Sequence, residues 1–247
     1  MSVNEKMSSI ANAIRSKTGG TNTLSLDDMA KEIQNVYDAG YSDLDLKFWE
    51  MFTANGAREI YNRAFNESDF SGYTFAKPVV PTKQIPQIFY NYRGKEYPKN
   101  IDLSKIDTSY SASSSYLAGF FQYGSNITIV PDMGLPALNG LDSTYANMRS
   151  LVTIEKIRVH ENTVFKGTFV STPNLENVTF EGVIGQNISF SGSPKLSHDS
   201  MIRIMALNLK NLIGTGETRT LTLGSTNLAK LTDAEKAMAT QWGWTLA

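Results

Sequence analysis

Only two histidines, His160 and His198, could move protons near neutral pH, and neither has a partner at a spacing that suggests catalysis. His198-Asp199-Ser200 contains the three residue types of a hydrolase triad. Adjacent residues at a helix start cannot line up a hydroxyl, an imidazole and a carboxylate among themselves, so they read as N-terminal capping residues. His160 closes the strand phrase "IRVHEN", where a loop-packing role is expected. "GTGETR" lacks the Gly-Lys-Ser/Thr ending of a phosphate loop and the third glycine of a dinucleotide loop, and reads as a linker. A glycosidase needs two carboxylates across a cleft. Asp43, Asp45, Glu50, Asp102, Asp107, Asp132 and Asp142 supply carboxylates, but no spacing selects a pair. Asp43, Asp45 and Asp132 offer oxygen ligands without an EF-hand pattern. The chain has no cysteine, so thiolate chemistry and cysteine-ligated zinc are excluded. The reading is of no catalytic residue, no metal site and no cofactor.

The positive chemical signal is aromatic. Tyr90, Tyr92, Tyr97, Tyr116 and Tyr123 fall in a Tyr/Phe-dense stretch. Tyrosine combines a flat apolar face with a hydroxyl, which suits a sugar ring or a protein surface. These five are the candidates for a binding surface, against the alternative that they pack under loops.

Met7, Ile10, Ala11 and Ile14 have the spacing of one helix face, and Gly19-Gly20 ends that helix. Ser25 caps a second helix whose apolar face is Met29, Ile33 and Val36. Helices this short are marginal alone. The stripe Ile10, Ile14, Met29 and Ile33 is therefore the expected contact with a partner chain. From about Ser71 the helical period gives way to a strand-and-turn composition. Apolar-x-apolar pairs begin at Tyr73, Ile101, Ile127, Ile157, Val178 and Ile188. Most of these steps bracket the roughly 20–29-residue period of leucine-rich repeats. After Pro194, Ser197 caps a helix, "RTLTLG" is a strand, Thr232-x-x-Glu235 is a capping box, and Trp244-Thr245-Leu246 forms a last short strand.

The expected class is α+β: an N-terminal helical module (1–37), a helical connector (38–70), an irregular leucine-rich-repeat solenoid (71–196) and an αβα capping unit (197–247). Lys+Arg and Asp+Glu nearly balance, for a net charge of -1, which argues against a basic face for nucleic acid or anionic membrane. No apolar run reaches membrane-spanning length, and the first residues are too polar for a signal-peptide core.

Two segments carry a resemblance. The ending "LTLGSTNLAKLTDAEKAMATQWGWTLA", with "FEGVIGQNISFSGSPKLSHDSMIRIMALNLKNL" before it, resembles the C-terminal region of leucine-rich-repeat proteins from phages and prophages of Gram-positive gut bacteria of the Firmicutes type. The opening "IANAIRSKTGGTNTLSLDDMAKEI" is similar to a helical module of phage tail and baseplate proteins, and the middle looks like divergent, treponemal-type repeats. The resemblance implies a non-enzymatic virion protein of the tail or baseplate, made in the bacterial cytoplasm. Its implied role is attachment through the N-terminal helices and recognition of the host surface. The implied partners are other tail proteins, a host cell-wall glycan or surface protein, and further copies of this chain as a trimer or hexamer. A bacterial cell-surface adhesin and a pure tail scaffold are the alternative readings.

Overall fold

Phe65, Phe89, Phe121, Tyr145, Phe169 and Phe190 stack in one column, with successive ring centroids 4.7, 5.7, 5.5, 5.8 and 4.6 Å apart. We describe this arrangement in a computed structural model, which covers Ser8, Ala11, Asn12, Arg15, Ser16, Asp28, Phe65, Glu67 and residues 69–79, 87–106 and 119–247. Four of these rings sit at the centre of a turn whose two flanking residues have left-handed backbone. The flanking pairs are Gln87/Asn91, Gly119/Tyr123, Ser143/Asn147 and Gly167/Ser171. The paired reversals point the ring inward and leave the turn's amides facing its neighbour. Phe89 N donates to Phe120 O (3.1 Å), Phe121 N to Thr144 O (3.0 Å) and Tyr145 N to Thr168 O (3.1 Å). Asn91 N, Tyr123 N and Asn147 N likewise donate to Gln122, Ala146 and Val170 carbonyls. Buried backbone groups must be paired, and here one turn pairs the next.

The strands between the turns are short and parallel. β1 (Thr74–Val79) pairs β2 (Lys99–Ile101). β3 (Ile129–Val130), β4 (Thr153–Val159) and β5 (Asn177–Gly182) form a second sheet. β6 (Ile188–Ser189), β7 (Arg219–Thr222) and β8 (Trp244–Leu246) form a third. Alternation sets the buried face: Val178, Phe180, Ile188 and Phe190 are in the core, while Thr179 is half-exposed and Ser189 exposed. Gly182 ends β5 at a φ of 108°, and a Cβ there would lie 2.0 Å from Val159 O, so only glycine fits against β4.

The expected leucine-rich-repeat solenoid is not what forms, and neither is the α+β class. The fold is mixed α/β with three separate parallel sheets, none curled or closed. One physical reason lies at the outer edge of β5. The place of a further strand is taken by α1 (His198–Arg203) and the π-helical turn Ile204–Asn208 that follows it. Val178 N donates to Ser200 Oγ (3.1 Å), and Asn208 Nδ2 donates to Phe180 O (3.3 Å) and Gly182 O (3.0 Å). Side chains occupy that edge at Val178 N, Phe180 O and Gly182 O, and no strand pairs with β5 there. The chain continues through α2 (Ser225–Leu228) and α3 (Asp233–Thr240). Ser197 caps α1 as its position predicts, and Thr232 and Glu235 complete the capping box of α3. Asn227, fully buried, donates to Ser193 O and Leu223 O (2.9 Å each), tying α2 to the turn before α1.

Candidate functional site

The tyrosines read as a surface divide between core and solvent. Tyr92 is 0% exposed; its hydroxyl accepts from Phe70 N (3.0 Å) and donates to Glu96 O (2.8 Å), and burial pushes its pKa up to about 12. Tyr97 is 5% exposed and stacks on Tyr92 at 5.3 Å. Burial holds its hydroxyl well above the usual phenol range, and that oxygen has no hydrogen-bond partner among the described residues. Both rings pack beside the column and present no face to a ligand. Tyr90 is half-buried and Tyr123 is 41% exposed; their rings meet edge-on at 5.4 Å at the surface. Tyr116 and the stripe Ile10, Ile14, Met29 and Ile33 lie outside the described residues.

The outer face of the β3-β4-β5 sheet carries a charge network that residue types alone did not single out. Arg158 donates from Nη1 and Nη2 to the two carboxylate oxygens of Asp132, each at 2.8 Å. Lys156 Nζ lies 3.0 Å from Glu181 Oε2 and 3.4 Å from Asp132 Oδ2. The Arg158 hydrogen bonds hold the Asp132 carboxyl well below the usual carboxylate range, and the Glu181 hydrogen bond raises Lys156. Parallel register builds the network, because it sets Arg158 beside Glu181 across β4 and β5. The paired charges leave little net field for a ligand. A two-stranded alignment of the repeated phrases would have put these residues on one face, which is the signal sequence reading passed over.

The histidines serve local structure. His160 Nδ1 accepts from Asn162 N (3.2 Å), closing the turn after β4. His198 Nε2 lies 2.8 Å from Glu235 Oε1, linking the start of α1 to the start of α3. Asp199 pairs with Arg203 at 2.9 Å, and Ser200 is occupied at the β5 edge, so the three triad letters point to three different partners. Among the described residues no group of three or more His, Asp or Glu side chains could hold a metal ion.

Two clefts lie beside the strands among the described residues. One, about 380 Å³, lies between β2 and β3, with Lys99, Ile101, Thr128 and Ile129 in its walls. The other, about 410 Å³, lies where the 164–166 segment passes β6, the edge strand of the third sheet. Comparison with protein-family models, with curated proteins and with solved structures returns no match.

Proposed function

We propose that the chain is a non-enzymatic virion protein of a phage tail or baseplate, an appendage that contributes to recognition of the host surface. The observation that carries the recognition part is Tyr123. In adjacent turns the equivalent left-handed position holds Asn91, Asn147 and Ser171. Asparagine enters that conformation readily, because its short polar side chain can bond locally, whereas a bulky ring is disfavoured there by about 1–3 kcal/mol. The strained residue is also the exposed one, and Tyr90 braces it edge-on. A partly exposed aromatic kept in a costly conformation suits contact with a sugar or protein surface. The virion part rests on the resemblance of the two chain ends. Use of both histidines in local structure supports the absence of turnover.

The test is binding of the purified chain to host cells and to host-wall glycan, with reducing ends assayed in the same tubes. Binding without sugar release is expected, and Tyr123→Asn should weaken cell binding at least about fivefold while leaving the protein as stable or more so. Release of sugar fragments would overturn the non-enzymatic part. Absence of the chain from purified particles by mass spectrometry would overturn the virion part, and failure to bind any susceptible host would leave a scaffold.

A further inference from the structure

We infer that the groove beside β6 is a saccharide subsite, separate from the Tyr90–Tyr123 edge. Its volume of about 410 Å³ lies within the roughly 300–1,000 Å³ of small-molecule sites. Gln186, Asn187, Ser189, Thr220 and Thr222 give it two amides and three hydroxyls, and no carboxylate lines it. Asn187 Oδ1 accepts from Thr220 N at 2.8 Å, which fixes that amide with its oxygen turned toward β7. Gln186, Thr220 and Thr222 are half-buried, and their side chains make no hydrogen bond to another protein group among the described residues. Partly desolvated donors and acceptors converging without protein partners fit a ligand rich in hydroxyls.

The remaining wall argues for the same class. Val164 is 40% exposed and offers an apolar side chain against which a sugar's C–H groups can rest. Lys166, on the same segment, has no ion pair among the described residues, in contrast to Lys156 and Arg158 on the neighbouring sheet. With no carboxylate facing it, Lys166 can donate to hydroxyl and ring oxygens. A peptide adding to the β6 edge would bond chiefly through its backbone, and its binding would not depend on the Gln186 and Thr222 side chains. A saccharide needs hydrogen bonds on its rim and one apolar face beneath, and those are present.

The identity of the saccharide as host-wall glycan rests on the host-recognition reading; the groove itself does not. The experiment titrates the full chain with soluble glycan fragments released from host walls by a muramidase, and with polyglutamate as an acidic non-sugar control. Gln186→Ala and Thr222→Val, the latter keeping side-chain volume, should each weaken fragment binding about tenfold with unchanged unfolding curves. Tyr123→Asn should leave fragment binding unchanged. If whole cells bind but fragments do not, or if only Tyr123→Asn weakens fragment binding, the groove assignment is overturned and host recognition survives. If polyglutamate competes as well as the fragments, the groove is a Lys166 charge site and the saccharide assignment falls. If neither cells nor fragments bind, both readings fall together.

Discussion

The ring-centred turns and the helices after β6 face the same requirement, the pairing of backbone next to a parallel strand, and they meet it with different chemistry. In the turns around Phe89, Phe121 and Tyr145 alternate amides find carbonyls of the next turn while amides such as Gln122 N and Ala146 N close their own turn, and the buried polar side chains from Thr144 to Thr172 are all threonines. Thr163 and Thr168 add single bonds to Leu138 O and Leu141 O. After β6 the backbone next to the strand is helical and bonds to itself. The buried amides among the described residues, Asn208 and Asn227, both occur there and each donates to two carbonyls. Lys230 adds to the Asn227 tie, donating to Leu196 O and Pro194 O, and burial of its ammonium lowers its pKa. A strand neighbour can be paired by backbone alone. A helix neighbour needs polar side chains, here Ser200, Asn208 and Asn227, and buried ones must find partners.

That contrast can be broken from either side. Phe169→Ala removes a ring from the middle of the column and should destabilise the protein by about 3–5 kcal/mol in denaturant titration. Asn208→Ala leaves the Phe180 and Gly182 carbonyls without their side-chain donor and should cost about 1–3 kcal/mol, with faster amide exchange concentrated along β5. Equal losses in the two variants would mean that the amide clamp, not ring packing, dominates both regions. Thr232→Ala removes the α3 cap and should cost about 1 kcal/mol, visible as a small fall in thermal midpoint.

The smallest effect at neutral pH belongs to the charged sheet face. Asp132→Asn should change stability by no more than about 1 kcal/mol, because the network is partly exposed. Its signature is in acid. The folded carboxyl titrates below its unfolded value of about 3.9, so its contribution is present above that pH and lost as pH falls toward the folded value. The variant should show a flatter stability curve below about pH 4 than the parent.

Local rules were legible in the sequence where a residue acts on its own segment. Ser197 and the Thr232/Glu235 box cap helices, β7 and β8 fall on their apolar phrases, and His198-Asp199-Ser200 is no triad. What was not legible depends on backbone conformation or on neighbours far along the chain. Phe121 and Tyr123 are two residues apart and equally aromatic, yet one joins the column and the other faces solvent. Only the left-handed backbone at Gly119 and Tyr123 decides which is which. The strand spacing suggested one continuous sheet, because spacing cannot reveal that Ser200 and Asn208 will occupy an edge more than twenty residues earlier.

The stacked turns also have a mechanical meaning. Their inter-turn hydrogen bonds run from one turn to the next, along the direction in which the rings pile up. A pull applied along that direction loads one rung at a time instead of shearing many together. Successive rings such as Tyr145 and Phe169 are separated by about 24 residues, so each released turn should pay out roughly 80 Å of chain at about 3.3–3.6 Å per residue. Under tension the region would lengthen in repeated, low-force steps, yielding like a seam.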